Sequence, residues 1–374
     1  METMILHLVH DEKIINRTID IFEEVAPGEN LFVVFTRHEL KLVKHHKSVI
    51  TFQEFKNYKG NKTFSAVIIH YLNSRKIRFV QDYIKKDIPI YWIIWGNDLY
   101  NKLLYPKGFE LWDKESSYYK KTKKSLIGNL LEKTINKFKI RKIESFVSKR
   151  ISAIVTDTTE IDYEMLVSYY PKLKNIPWMD FFYYPIELIL GQEMMQKWVE
   201  GNNIQIGNSA SVTNNHEYAM RFLSKLDLKE RKVVVPLSYS GTKEYKETVK
   251  KLGAASFGEN FIPLEDFLPL EQYNQLMTSF GVAIYGNWRQ EAIGNILISL
   301  YLGAKVFLPN VNPVLQWAKY HELVVYELES ISQHEIDTPL DEKTRIHNRN
   351  ILLKLYNLDR LKSLIVSNFL SKKQ

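Results

Sequence analysis

Short runs rich in Val, Ile, Phe and Tyr alternate with helix-spaced segments along nearly the whole chain, and this alternation constrains the fold more than any other feature. In the first half the runs are "MILHLV", "LFVVF", "SAVIIH", "IYWIIW", "ISAIVT" and "FFYYP". In the second half they are "IQIG", "KVVVPL", "AASF", "GVAIY", "AKVFLP" and "LVVYEL". Helical spacing falls between them, starting near Ile14, over 75–84, and at 214–228, 242–252, 270–279 and 292–302. Strands joined by helices pair in parallel, and the helices cover both faces of the sheet. The alternation falters at 186–203, which predicts a linker there and two α/β domains, 1–190 and 191–374, with parallel sheets facing across a cleft. A last helical pattern at 343–372, with Ile351, Leu352, Leu355, Leu358, Leu361 and Leu364, has no strand after it and is assigned to the second domain.

A chain of 374 residues with 45% hydrophobic content is long enough for two packed cores. Cysteine is absent, which removes disulfides and thiolate metal sites. "METMILHLVHDEK" lacks the basic start of a secretory signal, and the longest apolar runs fall short of the roughly 20 residues that span a bilayer. The expectation is a soluble protein made in the cytoplasm.

The formal charge of +8 is concentrated in one place. Residues 101–150 hold 14 Lys and Arg against five Asp and Glu, a net +9, so the remaining 324 residues sum to −1. Within that insertion Leu126, Ile127, Leu130, Leu131, Ile135 and Phe138 recur at helical spacing between lysines, which describes a basic amphipathic helix. Two uses compete: a solvated surface helix, or attraction of Lys120, Lys121, Lys123 and Lys124 to an anionic membrane. Nucleic acid is disfavoured as a partner, because few aromatics are placed for stacking and no nucleic-acid motif is present.

Three strand ends in the second half carry small and polar residues. "YGNWRQEAIGNILISLYLGAKVFL" at 285–308 places Arg289, Gln290 and Glu291 between an apolar run and a helix opened by Gly294 and Asn295. "IGNSASVTNNHEYAM" at 206–220 turns through Gly207, Asn208 and Ser209, with Asn214 as a candidate N-cap and His216 in the first helical turn. "VVVPLSY" ends at Pro236, with Ser238 and Tyr239 beyond. In open parallel sheets ligands bind past the carboxyl ends of the strands, where backbone N–H groups and helix dipoles favour anions. Together the three loops read as a nucleoside diphosphate site. None matches a P-loop or G-x-G-x-x-G, so a kinase or dehydrogenase is not supported.

The combination of "WIIWGNDLY", "IGNSASVTNNH", "VVVPLSY" and "RQEAIGN" resembles the TDP-N-acetylfucosamine:lipid II N-acetylfucosaminyltransferase family, glycosyltransferase family 56. The resemblance runs from Asn16–Thr18 to Asn312–Pro313. It implies a GT-B architecture: two Rossmann-like domains, acceptor on the first and nucleotide sugar mainly on the second. It also implies transfer of a deoxy-amino-sugar from a nucleotide diphosphate, dTDP in the family's name, to a polyprenyl-diphosphate-linked saccharide at the inner membrane face. The chain departs from the family pattern at Ala210 and Ala292, where glycine is favoured, and Ser299 stands where an E-x7-E motif starting at Glu291 would place its second carboxylate.

Under that reading Arg289, the backbone at Gly294 and Asn295, and the Gly207–Ser209 turn would stabilise the leaving diphosphate. Gln290, Glu291, Asn214, His216, Pro236 and Tyr239 complete the nucleotide-sugar set. Tyr239 has a packing role as its alternative, and Glu291 a helix-start role. Asn16, Arg17 and Trp95 are assigned to the acceptor. Asp98 and His70 are candidates for a base, each with a structural alternative, as an N-cap and a strand-end hydrogen bonder respectively. No D-x-D pair is placed to bridge a metal to a diphosphate, so no metal or cofactor is expected. The competing function is a non-catalytic protein of the same fold that binds nucleotide sugars or polyanions.

Overall fold

The computed structural model describes residues 3–57, 63–122, 126–157 and 160–370, with the backbone alone at 126–136. The chain divides into two compact units. One comprises Met1–Phe109, Asn129–Tyr183 and Asp359–Gln374; the other comprises Glu110–Gly128 and Tyr184–Leu358.

The first unit holds a seven-stranded sheet of β1 (Thr3–Val9), β2 (Asn30–Val34), β3 (Val49–Thr51), β4 (Thr63–His70), β5 (Ile90–Ile93), β6 (Ala153–Thr156) and β7 (Trp178–Asp180). Their spatial order is β3-β2-β1-β4-β5-β6-β7, and every pairing is parallel. The strands Asn30–Val34, Ile90–Ile93 and Ala153–Thr156 are buried along their whole length, which is why they read as unbroken apolar runs. The helix Lys13–Val25 covers one connection and turns Ile15, Ile19 and Phe22 into the core.

The second unit repeats the plan with β8 (Asn203–Ile206), β9 (Val233–Pro236), β10 (Phe261–Leu264), β11 (Phe280–Ile284), β12 (Lys305–Leu308) and β13 (Tyr326–Glu327). The order β10-β9-β8-β11-β12-β13 is again all parallel. In both units the strand order reverses beside the first strand, between β1 and β4 and between β8 and β11. That reversal is where a doubly wound sheet opens a crevice at its carboxyl edge.

Several expectations are corrected. "AASF" is not a strand: it closes the helix Lys243–Phe257, and the edge strand is "FIPL" instead. A side chain at Gly253 would strike the Phe261 ring at 2.1 Å, so this helix packs directly on the strand that was misplaced. "FFYYP" follows β7 rather than forming it. The C-terminal pattern is not one helix. Glu342–Leu355 ends before Tyr356, where Asn357 turns its amide back onto the Leu353 and Lys354 carbonyls. The helix Leu358–Ile365 then belongs with the first unit rather than the second, its Arg360 paired with Asp180 and its Lys362 with Glu24. Phe369 beyond it meets Phe22, Tyr91 and Phe181. The 101–150 insertion is likewise divided, with Glu110–Gly128 grouped with the second unit.

Candidate functional site

The loops after β8 and β11 flank the reversal of the second sheet, and side chains tie them to each other. Thr213 Oγ1 donates to Glu291 Oε2 at 2.6 Å, Asn287 Nδ2 to the same oxygen at 2.9 Å, and Arg289 Nη2 pairs with it at 3.1 Å. Asn287 Nδ2 also donates to the Thr213 carbonyl, and Asn312 fixes the loop from β12 by donating to the Asn287 carbonyl. Glu291 is thus the acceptor that holds both loops in register. Three donors on one half-buried oxygen are worth more than on a fully solvated one, because less water competes.

A second chain of bonds runs beneath the first. Gln205, a polar residue inside the apolar run "NIQI", donates to the Gly207 carbonyl at 2.8 Å and to Tyr273 at 3.3 Å. The Tyr273 hydroxyl donates to Asn295 Oδ1 at 2.8 Å, at the start of the helix Ile293–Leu302. Asn214 does not cap a helix. Its Oδ1 accepts the Asn208 N–H at 2.9 Å and its Nδ2 reaches Ser209, so it closes the Gly207–Ser209 turn from below. The helix itself begins at His216 after Asn215, which is left-handed at φ 48°. Asn208 Nδ2 donates to the Tyr239 hydroxyl, whose ring is 44% exposed and whose phenol burial pushes up to about 12. Ala210 N–H to the Tyr239 carbonyl joins the loop after β9 to the same group.

The structure therefore brings Gly207, Asn208, Ser209, Asn214, His216, Tyr239, Arg289, Gln290, Glu291 and Asn295 to one edge, with Pro236 buried at the end of β9. Gly294 leaves room for Tyr184, whose ring lies 3.3 Å from where its Cβ would stand. Ala292 sits at φ 64°, a left-handed conformation that favours glycine, so the departure from the family pattern falls on a strained position. Arg289 corrects an expectation. Its guanidinium is not a free fork: Nη1 donates to the Gln290 carbonyl and Nη2 to Glu291, while Nε has no partner among the described residues. Ser299 is buried and bonds Tyr285, well inside the helix.

Buried polar atoms without a partner concentrate here. Among the described residues they include Gln205 Oε1, Asn208 Oδ1, His216 Nε2, Asn287 Oδ1, Trp288 Nε1 and Arg289 Nε. All six lie on β8 or on the segments that follow β8 and β11. Such atoms are costly to leave unbonded, about 1–3 kcal/mol each.

At the corresponding reversal of the first unit the two base candidates are sealed. Asp98 is 2% exposed and accepts Leu72 N–H at 2.7 Å, Trp92 Nε1–H at 2.8 Å and Trp95 N–H at 2.9 Å. Burial raises its pKa against those bonds. It knots the ends of β4 and β5 and is not placed to take a proton from a substrate; nor is it an N-cap, because the wide π-type turn Asn97–Leu104 follows Gly96 and Asp98 lies inside it. His70 is fully buried, with Nδ1 2.5 Å from the Tyr183 hydroxyl and Nε2 3.1 Å from His7 Nδ1. Burial, then His7 and Lys76, hold it neutral. Trp92 is buried while Trp95 is half-buried and donates to Tyr183 at 2.8 Å, which agrees with only one of the two indoles reaching the edge. Asn16 braces the loop after β2 by bonding Leu42 and Lys44, and half-buried Arg17 follows it on the same helix.

Of the four lysines assigned to a membrane, Lys120 pairs with Glu115 and Lys121 with Glu244, both on exposed surface; Lys123 and Lys124 lie outside the described residues. Phe138 is 67% exposed. Among the described residues no helix is long and apolar enough to cross a membrane.

Known structures share this architecture. HepE from Anabaena, solved with UDP and glucose, is 11% identical with a TM-score of 0.66, the match covering 97% of this chain and 98% of that one. Sucrose-phosphate synthase from Thermosynechococcus elongatus is 9% identical with a TM-score of 0.66, covering 97% and 98%. The alpha,alpha-trehalose 6-phosphate synthase of Burkholderia multivorans is 8% identical with a TM-score of 0.60, covering 98% and 96%. The fold is that of the GT-B glycosyltransferases. The particular family follows from the sequence: the family described as 4-alpha-L-fucosyltransferase, glycosyl transferase group 56, matches residues 133–358. The chain belongs to that family and is a glycosyltransferase.

Proposed function

We propose that the loops after β8, β9 and β11 bind a nucleoside diphosphate sugar, dTDP-linked, and that the enzyme transfers a 4-acetamido-4,6-dideoxyhexose or related fucose-like sugar to a polyprenyl-diphosphate-linked saccharide. The observation that carries the donor half is the group of six unpartnered polar atoms at the reversal of the second sheet. Arg289 Nε–H and Trp288 Nε1–H are donors suited to phosphate oxygens, and Asn208 and Asn287 offer acceptors for sugar or ribose hydroxyls. Negative charge grows on the diphosphate as the C1–O bond breaks, and fixed donors at that point stabilise the transition state without reorganising. Such donors supply the charge stabilisation that a metal ion provides in other transferases.

The acceptor half is supported by the family and by the basic insertion. A polyprenyl carrier sits in an anionic bilayer, and a net +9 over residues 101–150 would draw the enzyme to the cytoplasmic surface of that membrane. Trp95 and Arg17 are the acceptor-side residues this reading retains. The test is sugar transfer from labelled dTDP-sugar to a short-chain polyprenyl-diphosphate saccharide, with Arg289→Ala alongside. Turnover that falls about tenfold or more in the variant is expected, since charged hydrogen bonds contribute about 1.5–3 kcal/mol. A parent protein that binds dTDP but transfers nothing to any such acceptor would overturn the polyprenyl-linked acceptor.

A further inference from the structure

We propose that Tyr245 is a positioning residue that locks His216 in its Nε2–H tautomer, making a neutral imidazole a hydrogen-bond donor to a phosphate oxygen at the Gly207 turn. This rests on the nucleotide-sugar reading above.

His216 is fully buried, and its Nδ1 lies 2.9 Å from the Tyr245 hydroxyl. Burial raises the phenol, so it keeps its proton. A phenol that keeps its proton can donate it to Nδ1. Nδ1 is then the acceptor, and the ring proton must sit on Nε2. That Nε2 has no partner among the described residues.

Its position points to a ligand. A Cβ on Gly207 would stand 2.7 Å from Asn214 Oδ1 and 3.0 Å from His216 Nε2, so a glycine is what leaves the place beside Nε2 unfilled. Gly207 also has φ 69°, which favours glycine independently. Burial holds the His216 pKa down to about 3, so the donor is uncharged at neutral pH.

The lock is itself braced. The Tyr118 ring meets Tyr245 edge-on at 4.8 Å. Its segment is tied to the same helix by Ser117, which donates to Glu217 at 2.7 and 2.8 Å, and by Asp113 N–H, which donates to Asn215 at 3.0 Å. Arg221 pairs with Asp113. Tyr118 therefore braces the Tyr245 ring from a segment that is itself tied to the residues around His216.

The test uses the full-length protein with 15N-labelled histidine and dTDP as probe. In the parent, the His216 resonances should show Nε2 protonated and Nδ1 bare. Tyr245→Phe keeps the ring packing and should give a tautomer mixture with dTDP binding weakened roughly fivefold, the value of one neutral hydrogen bond. His216→Leu should weaken binding by at least as much, while His216→Gln, whose amide N–H stands near the Nε2 position, should restore it. An Nδ1–H tautomer in the parent, or unchanged dTDP binding by folded Tyr245→Phe and His216→Leu, overturns the proposal alone. A parent protein that binds no nucleoside diphosphate overturns the nucleotide-sugar reading and this proposal with it.

Discussion

Thr213 and Glu291, 78 positions apart in sequence, meet at 2.6 Å and join the two loops that border the crevice of the second sheet. Because Asn287 and Arg289 bond the same carboxylate oxygen, the loop geometry depends on one acceptor. Glu291→Ala should destabilise the fold by about 3–5 kcal/mol, since it leaves the Arg289 guanidinium buried and unpaired. Thr213→Val should cost about 1 kcal/mol and loosen dTDP binding with the fold intact. Urea unfolding and calorimetric titration on the same samples separate the two effects.

Asp98→Ala should behave as a folding variant. Three donors, from Leu72, Trp92 and Trp95, lose a buried acceptor together, which points to a loss of several kcal/mol, roughly 3–5 by the usual cost of unsatisfied groups. Denaturant midpoints check this. An Asp98→Asn protein of parental stability and no turnover would return Asp98 to a catalytic role.

The core was largely legible from the sequence because strands buried on both faces leave unbroken apolar runs, as at "LFVVF" and "GVAIY". What was not legible depended on pairing over distance. Nothing local says that Glu291 is consumed by Thr213 and Arg289, so Arg289 looked like a free fork. Nor does "WGND" reveal that Asp98 is surrounded by donors. Gln205 and His7 did carry a signal, each a polar residue inside an apolar strand. His7 bonds His70 and Asn30, and Gln205 supports the Gly207 turn. "AASF" failed because a short run of small and apolar residues suits a helix end as well as a strand.

Acid should unfold this protein early. His7 and His216 are held down to about 3 by burial, and His70 is lowered well below the ordinary value for the same first reason. Below about pH 6.5 the unfolded chain takes up protons that these buried rings refuse, so their contribution is fully present above that pH and is lost as pH falls toward 3. Each ring should steepen the loss by at most about 1.4 kcal/mol per pH unit. Unfolding free energies at pH 7.5, 6 and 5 measure the slope, and His7→Asn should reduce it. A stability flat from pH 7.5 to 5 would contradict neutral burial.

Replacing Lys120, Lys121, Lys123 and Lys124 by Gln should release the enzyme from vesicles rich in phosphatidylglycerol, at roughly 1 kcal/mol per lysine near the surface. Lys120 and Lys121 are partly compensated by Glu115 and Glu244, so the effect of those two alone should be the smaller part. Equal sedimentation of both proteins would make the insertion a solvated surface.

On the proposed function, the carboxyl edge of the second sheet holds the diphosphate of a nucleotide sugar. Titration calorimetry of dTDP into the parent protein, Tyr239→Ala and Gly207→Val tests it most directly. Saturable binding to the parent, weakened about tenfold by Tyr239→Ala and abolished when a branched side chain fills the space beside Asn214 and His216, is the predicted result. Undiminished binding by Gly207→Val, or no binding of any nucleoside diphosphate to the parent, would contradict it.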